Sequence, residues 1–363
     1  MASSRSLRHI LEQHRHLWDH DAARPAAREN FRKVLACRTP ALGAEVYASE
    51  SEQKVVYHTC KSRACSSCGR RATVLWQRDQ WATLPDVPYR EITFTMPDVL
   101  WPIFNNNRAL LADLSAIGAK AIESWIEAEH GVQVCIMVVA HTFGRHLNFN
   151  SHLHILVSTG GFRESEGAWI PQLNIRKASL SDFWRDSVIG HLRLAQGKLI
   201  SPIDGPALDQ MLIAQGNRRW RTHHKEFGSK YHFLQYAARY LRRPPLAEYR
   251  FQHVGEDEIV FRTHDHRLKR EVLTHYSPSD FIRALTQQVP ERYRHCVRYF
   301  GLLAPRTKAR CMGAILTILG QARRPRPARL SWALSIKREF GVDPLVDRMG
   351  KKMQLIARRA AVV

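Results

Sequence analysis

Two apolar segments, Val132–Phe143 and Ser151–Ser158, are separated only by a polar loop containing Gly144, Asn148 and Asn150, and the second runs into the turn Gly160-Gly161. Strand-length apolar runs punctuated in this way read as a hairpin in an antiparallel sheet. Glu91–Met96 alternates apolar and polar residues with the period of a half-buried strand, and Glu258–Arg262 offers another. Between and after them lie helical stretches: Leu110–Glu129, whose core face is Leu110, Leu114, Ile117, Ile122 and Ile126, then Leu180–Leu194, Phe233–Leu241 and Pro278–Gln288. The expected fold class is α+β, an antiparallel sheet flanked by helices.

The composition sets the partner. The chain of 363 residues carries 55 Lys+Arg against 33 Asp+Glu, a formal charge of +22. So large an excess calls for an acidic partner, nucleic acid or an anionic membrane. The longest apolar stretches, such as Val134–Ala140 and Ile315–Leu319, fall well short of the roughly 18–20 residues that span a bilayer, so no membrane partner is expected. Met1–Arg15 shows no apolar core of a secretory signal, which points to a reducing, cytoplasmic setting.

Three of the seven cysteines crowd into Cys60, Cys65 and Cys68. In a reducing compartment such a cluster reads as a metal site, and a structural zinc takes four ligands. Cys37 and His58 are the nearest candidates for the fourth. Arg70, Arg71 and Arg78 follow in the amphipathic stretch Ala72–Leu84, which suits a basic helix laid on phosphates. Three parts are expected: an N-terminal zinc-binding, DNA-contacting module over 1–85, a catalytic domain over 86–305, and a basic extension over 306–363. In the last, Pro325 and Pro327 among arginines read as a linker or extended arm.

Two constellations carry chemistry. In the strand Ser151–Ser158, His152 and His154 project on one face while Leu153, Ile155 and Val157 face the other, so two imidazoles can grip one divalent ion from a rigid element. In the helix that Pro244 stops, Tyr236 and Tyr240 stand one turn apart on one face, with Ala237 and Ala238 between them and Arg239, Arg242 and Arg243 alongside. That neighbourhood suits a phosphate chain better than a packing face.

Together the His-Leu-His strand and the Tyr-x-x-x-Tyr helix in a basic chain resemble the HUH endonuclease superfamily, and within it the two-tyrosine rolling-circle transposases of insertion sequences. His141-Thr-Phe-Gly-Arg145 leading through Asn150 to His154, Lys225-Glu-Phe-Gly228, Arg242-Arg-Pro-Pro245 and Tyr299-Phe-Gly-Leu-Leu-Ala304 follow that family's pattern in order, over roughly residues 30–305. The resemblance implies an HUH-type sheet, a catalytic Mg²⁺ or Mn²⁺ on His152 and His154, and Tyr236 and Tyr240 as nucleophiles. His141, His146 and Asn150 are the candidates for a third ligand.

It further implies single-stranded DNA ends as substrate, a 5′-phosphotyrosine intermediate, and a bacterial, nucleoid-associated setting. No ATP is needed, in keeping with the lack of any G-x4-GK[ST] run. Lys225, Arg239, Arg242, Arg243, Arg70 and Arg71 are the expected phosphate contacts, with Trp76, Trp81 and Trp220 as stacking candidates. The chain departs from the pattern twice: Ser49-Glu-Ser-Glu52 stands where the family commonly has a Cys pair, and none occurs around Asp347–Lys352. Cys37, Cys60, Cys65 and Cys68 are then the expected zinc ligands. A replication initiator or relaxase of the same chemistry, and a non-catalytic zinc-dependent DNA-binding protein, stay open as alternatives.

Overall fold

The computed structural model describes residues 6–200, 204–241, 246–265 and 269–362. In chain order, helices α1 (Leu7–Gln13) and α2 (Pro25–Ala36) precede the hairpin β1 (Ala44–Ala48) and β2 (Gln53–Tyr57), then α3 (Ser66–Thr83). The central part runs β3 (Tyr89–Thr95), α4 (Trp101–Asn106), α5 (Leu110–His130), β4 (Cys135–Phe143), β5 (Phe149–Ser158), β6 (Gly161–Arg163), β7 (Ala168–Ile170), α6 (Lys177–Ala195) and α7 (Gly205–Gly216). It continues through β8 (Thr222–Phe227), α8 (Lys230–Tyr236), β9 (Phe251–Val254), β10 (Ile259–Asp265), β11 (Arg270–Tyr276), α9 (Pro278–Gln288) and β12 (Val297–Gly301). The chain closes with α10 (Pro305–Ile318), α11 (Trp332–Phe340) and β13 (Gln354–Arg359).

The architecture is the expected α+β. Five strands form an antiparallel sheet in the order β12-β4-β5-β3-β8, with β4 and β5 as its hairpin. Alternation along each strand sends two sets of side chains to two cores. Ile92, Phe94, Ile136, Val138, Leu153, Ile155 and Val157 meet α5 and α6 on one face. Tyr89, Met137, Val139, Leu156 and Phe227 meet α8 and α10 on the other. A Cβ at Gly118 would stand 2.5 Å from Leu153 Cδ1, so glycine there lets α5 lie directly on β5 and fixes that strand from behind. The helix ends at Gly131, whose φ of 62° is the left-handed conformation glycine adopts at low cost.

The N-terminal module does not keep a core to itself. Leu7, Ile10, Phe31, Cys37, Cys65 and Cys68 pack in one cluster with Leu147, Phe251, Phe261 and Phe281, so α1 and α2 share their apolar interior with the three-stranded sheet β11-β10-β9 and with α9. In the C-terminal part the stretch around Pro325 and Pro327, residues 321–331, is the irregular linker its composition foretold, while the segments on either side are folded against the rest. Cys311, Met312 and Ile315 of α10 are buried beneath the central sheet, and β13 pairs antiparallel with β1. The Pro-containing stretch between α10 and α11 is held by an ion pair of Arg324 with Asp86. Apolar positions at helical spacing in α10 outweigh the arginines beside them. Among the described residues no helix is long and apolar enough to cross a membrane.

Ser49-Glu-Ser-Glu52 and Asp347–Lys352, the two stretches where the expected Cys pairs are missing, meet in space. Ser49 and Ser51 each donate a hydroxyl to Asp347 Oδ2 at 2.6 Å, while Oδ1 accepts the backbone N–H of Met349 at 2.9 Å and of Lys351 at 2.8 Å. A hydrogen-bonded carboxylate thus joins the β1–β2 turn to the turn before β13.

Candidate functional site

Four thiols converge where α2 ends and α3 begins. Cys37 is the C-cap of α2, Cys60 lies in the loop after β2, Cys65 is the N-cap of α3 and Cys68 sits in its first turn. Their Sγ atoms lie within 4.8 Å of one another, with Cys37–Cys68 at 3.7 Å, Cys60–Cys68 at 3.7 Å and Cys65–Cys37 at 3.8 Å. A tetrahedron of sulfurs about 2.3 Å from a zinc ion has edges of about 3.8 Å. The donor set, its closeness and its partial burial all fit a structural zinc. Among themselves the four thiols share their protons: Cys68 is pulled well below the usual thiol range by Cys37, Cys60 and Cys65, while Cys60 and Cys65 are pushed above it. His58 is not in this group; its Nδ1 bonds the Leu42 carbonyl at 2.9 Å.

The second convergence is on the α8 face of the central sheet. His141 lies opposite His152 in the β4–β5 register, and His154 follows two residues along β5. Donor atoms of these three imidazoles all lie within 4.8 Å of one another. Hydrogen bonds fix two of the tautomers. His152 Nδ1 is 2.9 Å from the Asn150 carbonyl, which only accepts, and His154 Nδ1 is 2.6 Å from a Glu91 carboxylate oxygen. Both Nδ1 atoms therefore donate, and both Nε2 atoms carry bare lone pairs in the neutral rings.

Those two Nε2 atoms stand 3.1 Å apart. Two lone pairs at that distance repel unless a cation lies between them. Burial, with the nearby imidazole of His154 as the second cause, pushes His152 down to about 3, so it is neutral at physiological pH and ready to ligate. His141 is buried and stacks on Phe143, ring centroids 5.0 Å apart. Of the other candidates for a third ligand, His146 turns to Thr274 Oγ1 at 3.0 Å, and Asn150 holds His152 through its carbonyl.

Glu91 was not among the expected site residues. It is 3% exposed in β3, on the face that carries the histidines. The sequence places it at a polar position of a half-buried strand, and it is buried because the second face of the sheet is covered as well.

The tyrosine helix sits on this same face. Ser229 caps α8 by accepting the His232 N–H. Buried Lys230 pins its first turn to Asp86 at 2.6 Å and to the carbonyls of Trp81 and Leu84. Phe233 stacks on Tyr89 at 4.5 Å. Tyr236, at the end of α8, packs 5.1 Å from Phe227 and under the ammonium of Lys225, 4.2 Å from its ring centre. Lys225 stands opposite Glu91 in the β8–β3 register, so the phenol's neighbour is also the histidine cluster's neighbour.

From Ala237 to Leu241 the helix widens into a π turn, a distortion that recurs at functional sites. Tyr240 lies in that turn and its side chain is outside the description; Arg242 and Arg243 lie outside the described residues. Arg239 is exposed beside them.

The remaining expected contacts divide. Arg70 pairs with Glu339 at 2.5 Å and Arg71 donates to the Leu330 carbonyl at 3.3 Å, so both face the C-terminal segment. Trp220 is buried and Trp76 donates to Tyr299 Oη at 3.0 Å, both as packing residues. Trp81 is 41% exposed, with the cations of Lys230 and Arg324 over its ring.

Two family models match the chain. A family described as "Transposase zinc-binding domain" matches residues 9–96, and one described as "Putative transposase" matches residues 135–311. The chain is 31% identical over 343 residues to the "Transposase for insertion sequence element IS801" of Pseudomonas savastanoi pv. phaseolicola, covering 91% of this chain and 83% of the relative. It is 28% identical over 323 residues to "Putative transposase y4qJ" of Sinorhizobium fredii (strain NBRC 101917 / NGR234), covering 84% and 81%. No solved structure matches. With a zinc-binding region followed by a transposase region, and with that degree of identity over most of both chains, the protein belongs to the insertion-sequence transposase family that includes the IS801 enzyme.

Proposed function

We propose that this transposase nicks and rejoins single-stranded DNA at the ends of its insertion sequence by tyrosine transesterification of the HUH type, in rolling-circle transposition. The observation that carries the reading is that three histidine donor atoms within 4.8 Å and the helix bearing Tyr236 lie on one face of one sheet. The donor set of His141, His152 and His154 fits a divalent ion, magnesium or manganese, which when bound polarises the scissile phosphate and offsets charge on its oxygens.

The rest belongs to the chain. A tyrosine hydroxyl, with an ordinary pKa of about 10, is a weak nucleophile at neutral pH. Lys225 holds a positive charge against Tyr236 that steadies the phenolate as it forms. The phenol oxygen attacks the phosphorus, the bond to the 3′ oxygen breaks, and the 3′ oxygen takes up a proton as the 5′-phosphotyrosine forms. Attack by a 3′-hydroxyl on that ester reverses the step, so bond energy is conserved. Two tyrosines allow one DNA end to be held while the other is cut. Glu91 keeps His154 in the tautomer whose Nε2 faces the site. Lys225, Arg239, Arg242 and Arg243 are the proposed phosphate contacts, and the zinc module a second DNA-contacting surface.

The test is cleavage of labelled single-stranded DNA carrying the element's ends, with Mn²⁺ or with EDTA, comparing wild type with Tyr236→Phe, Tyr240→Phe and the double change. A metal-dependent covalent protein–DNA species lost in the double variant supports the reading. Tight binding with no adduct under any divalent ion refutes it and leaves a DNA-binding protein without this chemistry.

A further inference from the structure

Behind the histidine cluster, on the far side of Phe143, lies a cavity of about 420 Å³ that this mechanism does not use. Its volume is that of a small-molecule site. Three units wall it: β4 and the start of α5, the segment running from α9 to β12, and the loop between Cys60 and Cys65. Its floor is apolar, with Leu111, Ala140, Phe143 and Leu285. Phe143 is the ring that stacks on His141, so the cavity is one aromatic ring away from the candidate metal centre.

The wall above that floor carries four arginines, Arg63, Arg108, Arg294 and Arg298, against two carboxylates, Asp113 and Glu291. The Nε atoms of Arg24, just behind the lining, and of Arg108, within it, both reach the same oxygen of Glu291, at 3.1 Å and 3.3 Å, and Arg108 also donates to the carbonyls of Gln287 and Val289. Burial, with Arg24 as the second cause, pushes Arg108 down to about 10. Of the lining arginines, Arg63 and Arg294 form no ion pair among the described residues. Two guanidiniums on one carboxylate, with two further arginines beside them, leave room for an anion. At the mouth, Tyr293 is 93% exposed and holds a φ of 60°, a conformation rare for an aromatic residue. Its ring is held out into solvent where it lines the entrance.

We propose that this cavity is a nucleotide subsite for the DNA strand: one unpaired base enters against Phe143 and Leu285, its phosphate is taken by Arg63 and Arg294, and a neighbouring base stacks on Tyr293. An apolar slot answers a base's ring, and an arginine wall answers its phosphate. Inorganic anions match the second half alone. This inference rests on the reading of single-stranded DNA as substrate, and it adds where a nucleotide close to the reacting phosphate is held.

The test uses the full chain in EDTA, where no cleavage competes, and a single strand carrying an element end with 2-aminopurine placed at one position at a time. The expected result is a fluorescence change confined to one or two adjacent positions and lost in Tyr293→Ala and Arg294→Ala, both at exposed sites that leave the core intact. Tyr293→Ala is expected to weaken strand binding about tenfold, the effect of one lost base stack. Arg294→Ala is expected to reduce the slope of log K against log salt by about 0.7, the share of one single-strand phosphate.

A signal spread evenly along the strand, or one unchanged in both variants, overturns the proposal. So does inorganic phosphate competing as well as a deoxynucleoside monophosphate, which makes the cavity an anion site only. Failure of the cleavage reading looks different: a mapped signal without any covalent adduct sustains the subsite and removes the tyrosine chemistry.

Discussion

Glu91 shows how one side chain decides what two histidines can do. Without an acceptor at Nδ1, His154 is free to take the other tautomer and to place a proton on the Nε2 that faces His152. With Glu91 at 2.6 Å the ring is locked, and both Nε2 atoms are left as acceptors. Glu91→Gln keeps the shape and removes the charge that makes the imidazole a better donor. Outer partners of this kind are worth about 10–100-fold in metal affinity. The variant is therefore expected to bind Mn²⁺ more weakly by that factor, read from the free-ion signal in electron paramagnetic resonance, with wild-type thermal stability. Equal affinity in both proteins removes Glu91 from the site. The His-Leu-His and Tyr-x-x-x-Tyr pairs were legible in the sequence because each lies within one strand or one helix. Glu91 was not, because it meets His154 through the β3–β5 register, and no local pattern encodes which acid pairs with which histidine across that gap. On the opposite face of β8, burial, aided by Lys177, Arg90 and His223, pushes His224 down to about 4. A histidine whose folded pKa lies below its ordinary 6.5 contributes stability fully above pH 6.5 and loses it as the pH falls toward about 4. The urea midpoint is expected to fall on acidification from pH 7 to pH 4.5, and His224→Gln to fall less steeply.

At the scale of elements, legibility followed the contrast between a strand's two faces. The β4–β5 hairpin, β3, α5, α6 and α9 show the periodicities that burial on one side imposes, and the structure has them within a few residues of where the sequence places them. Most of the other strands escaped, β8 and β13 for a plain reason. Thr222–Phe227 is polar except at its end, and all six residues of Gln354–Arg359 are exposed, so neither carries an alternation to read. What holds β13 is its pairing with β1 and the Asp347 clasp on Ser49 and Ser51. Hydrogen bonds from Ser49, then Ser51, hold the Asp347 carboxyl down to about 2 against an ordinary 3.8. The clasp is therefore complete above pH 3.8 and is lost as the pH falls toward 2. Asp347→Ala is expected to speed hydrogen exchange in β13 and in the Ala48–Gln53 turn, with the β4–β5 hairpin unaffected. Exchange in β13 at the wild-type rate shows that strand pairing alone secures the C-terminus.

At the scale of the whole molecule, the cysteine cluster and the histidine hairpin share one core. Leu147, fully buried in the loop between the two histidine strands, packs in the same cluster as Cys37, Cys65 and Cys68. The sequence could not show this, since that cluster joins segments from both ends of the chain. Its consequence is that the zinc-binding module supports the histidine hairpin. Structural zinc contributes about 10–16 kcal/mol of apparent binding free energy in zinc-finger peptides, while whole domains are stable by only about 5–15 kcal/mol. Losing the ion at the cysteines is thus large enough to unfold the module, and with it the packing around Leu147. Cys65→Ser, or stripping zinc with a chelator that spares the weaker divalent site, is expected to lower the thermal midpoint of the entire chain in one transition. It is also expected to weaken Mn²⁺ binding at the histidines and to speed amide exchange in the Gly144–Asn148 loop. Independent modules behave otherwise: calorimetry shows two transitions, only the first moves when zinc is removed, and Mn²⁺ affinity stays where it was. Because the two cores meet through side chains and not through a linker, the single transition is the outcome the packing demands.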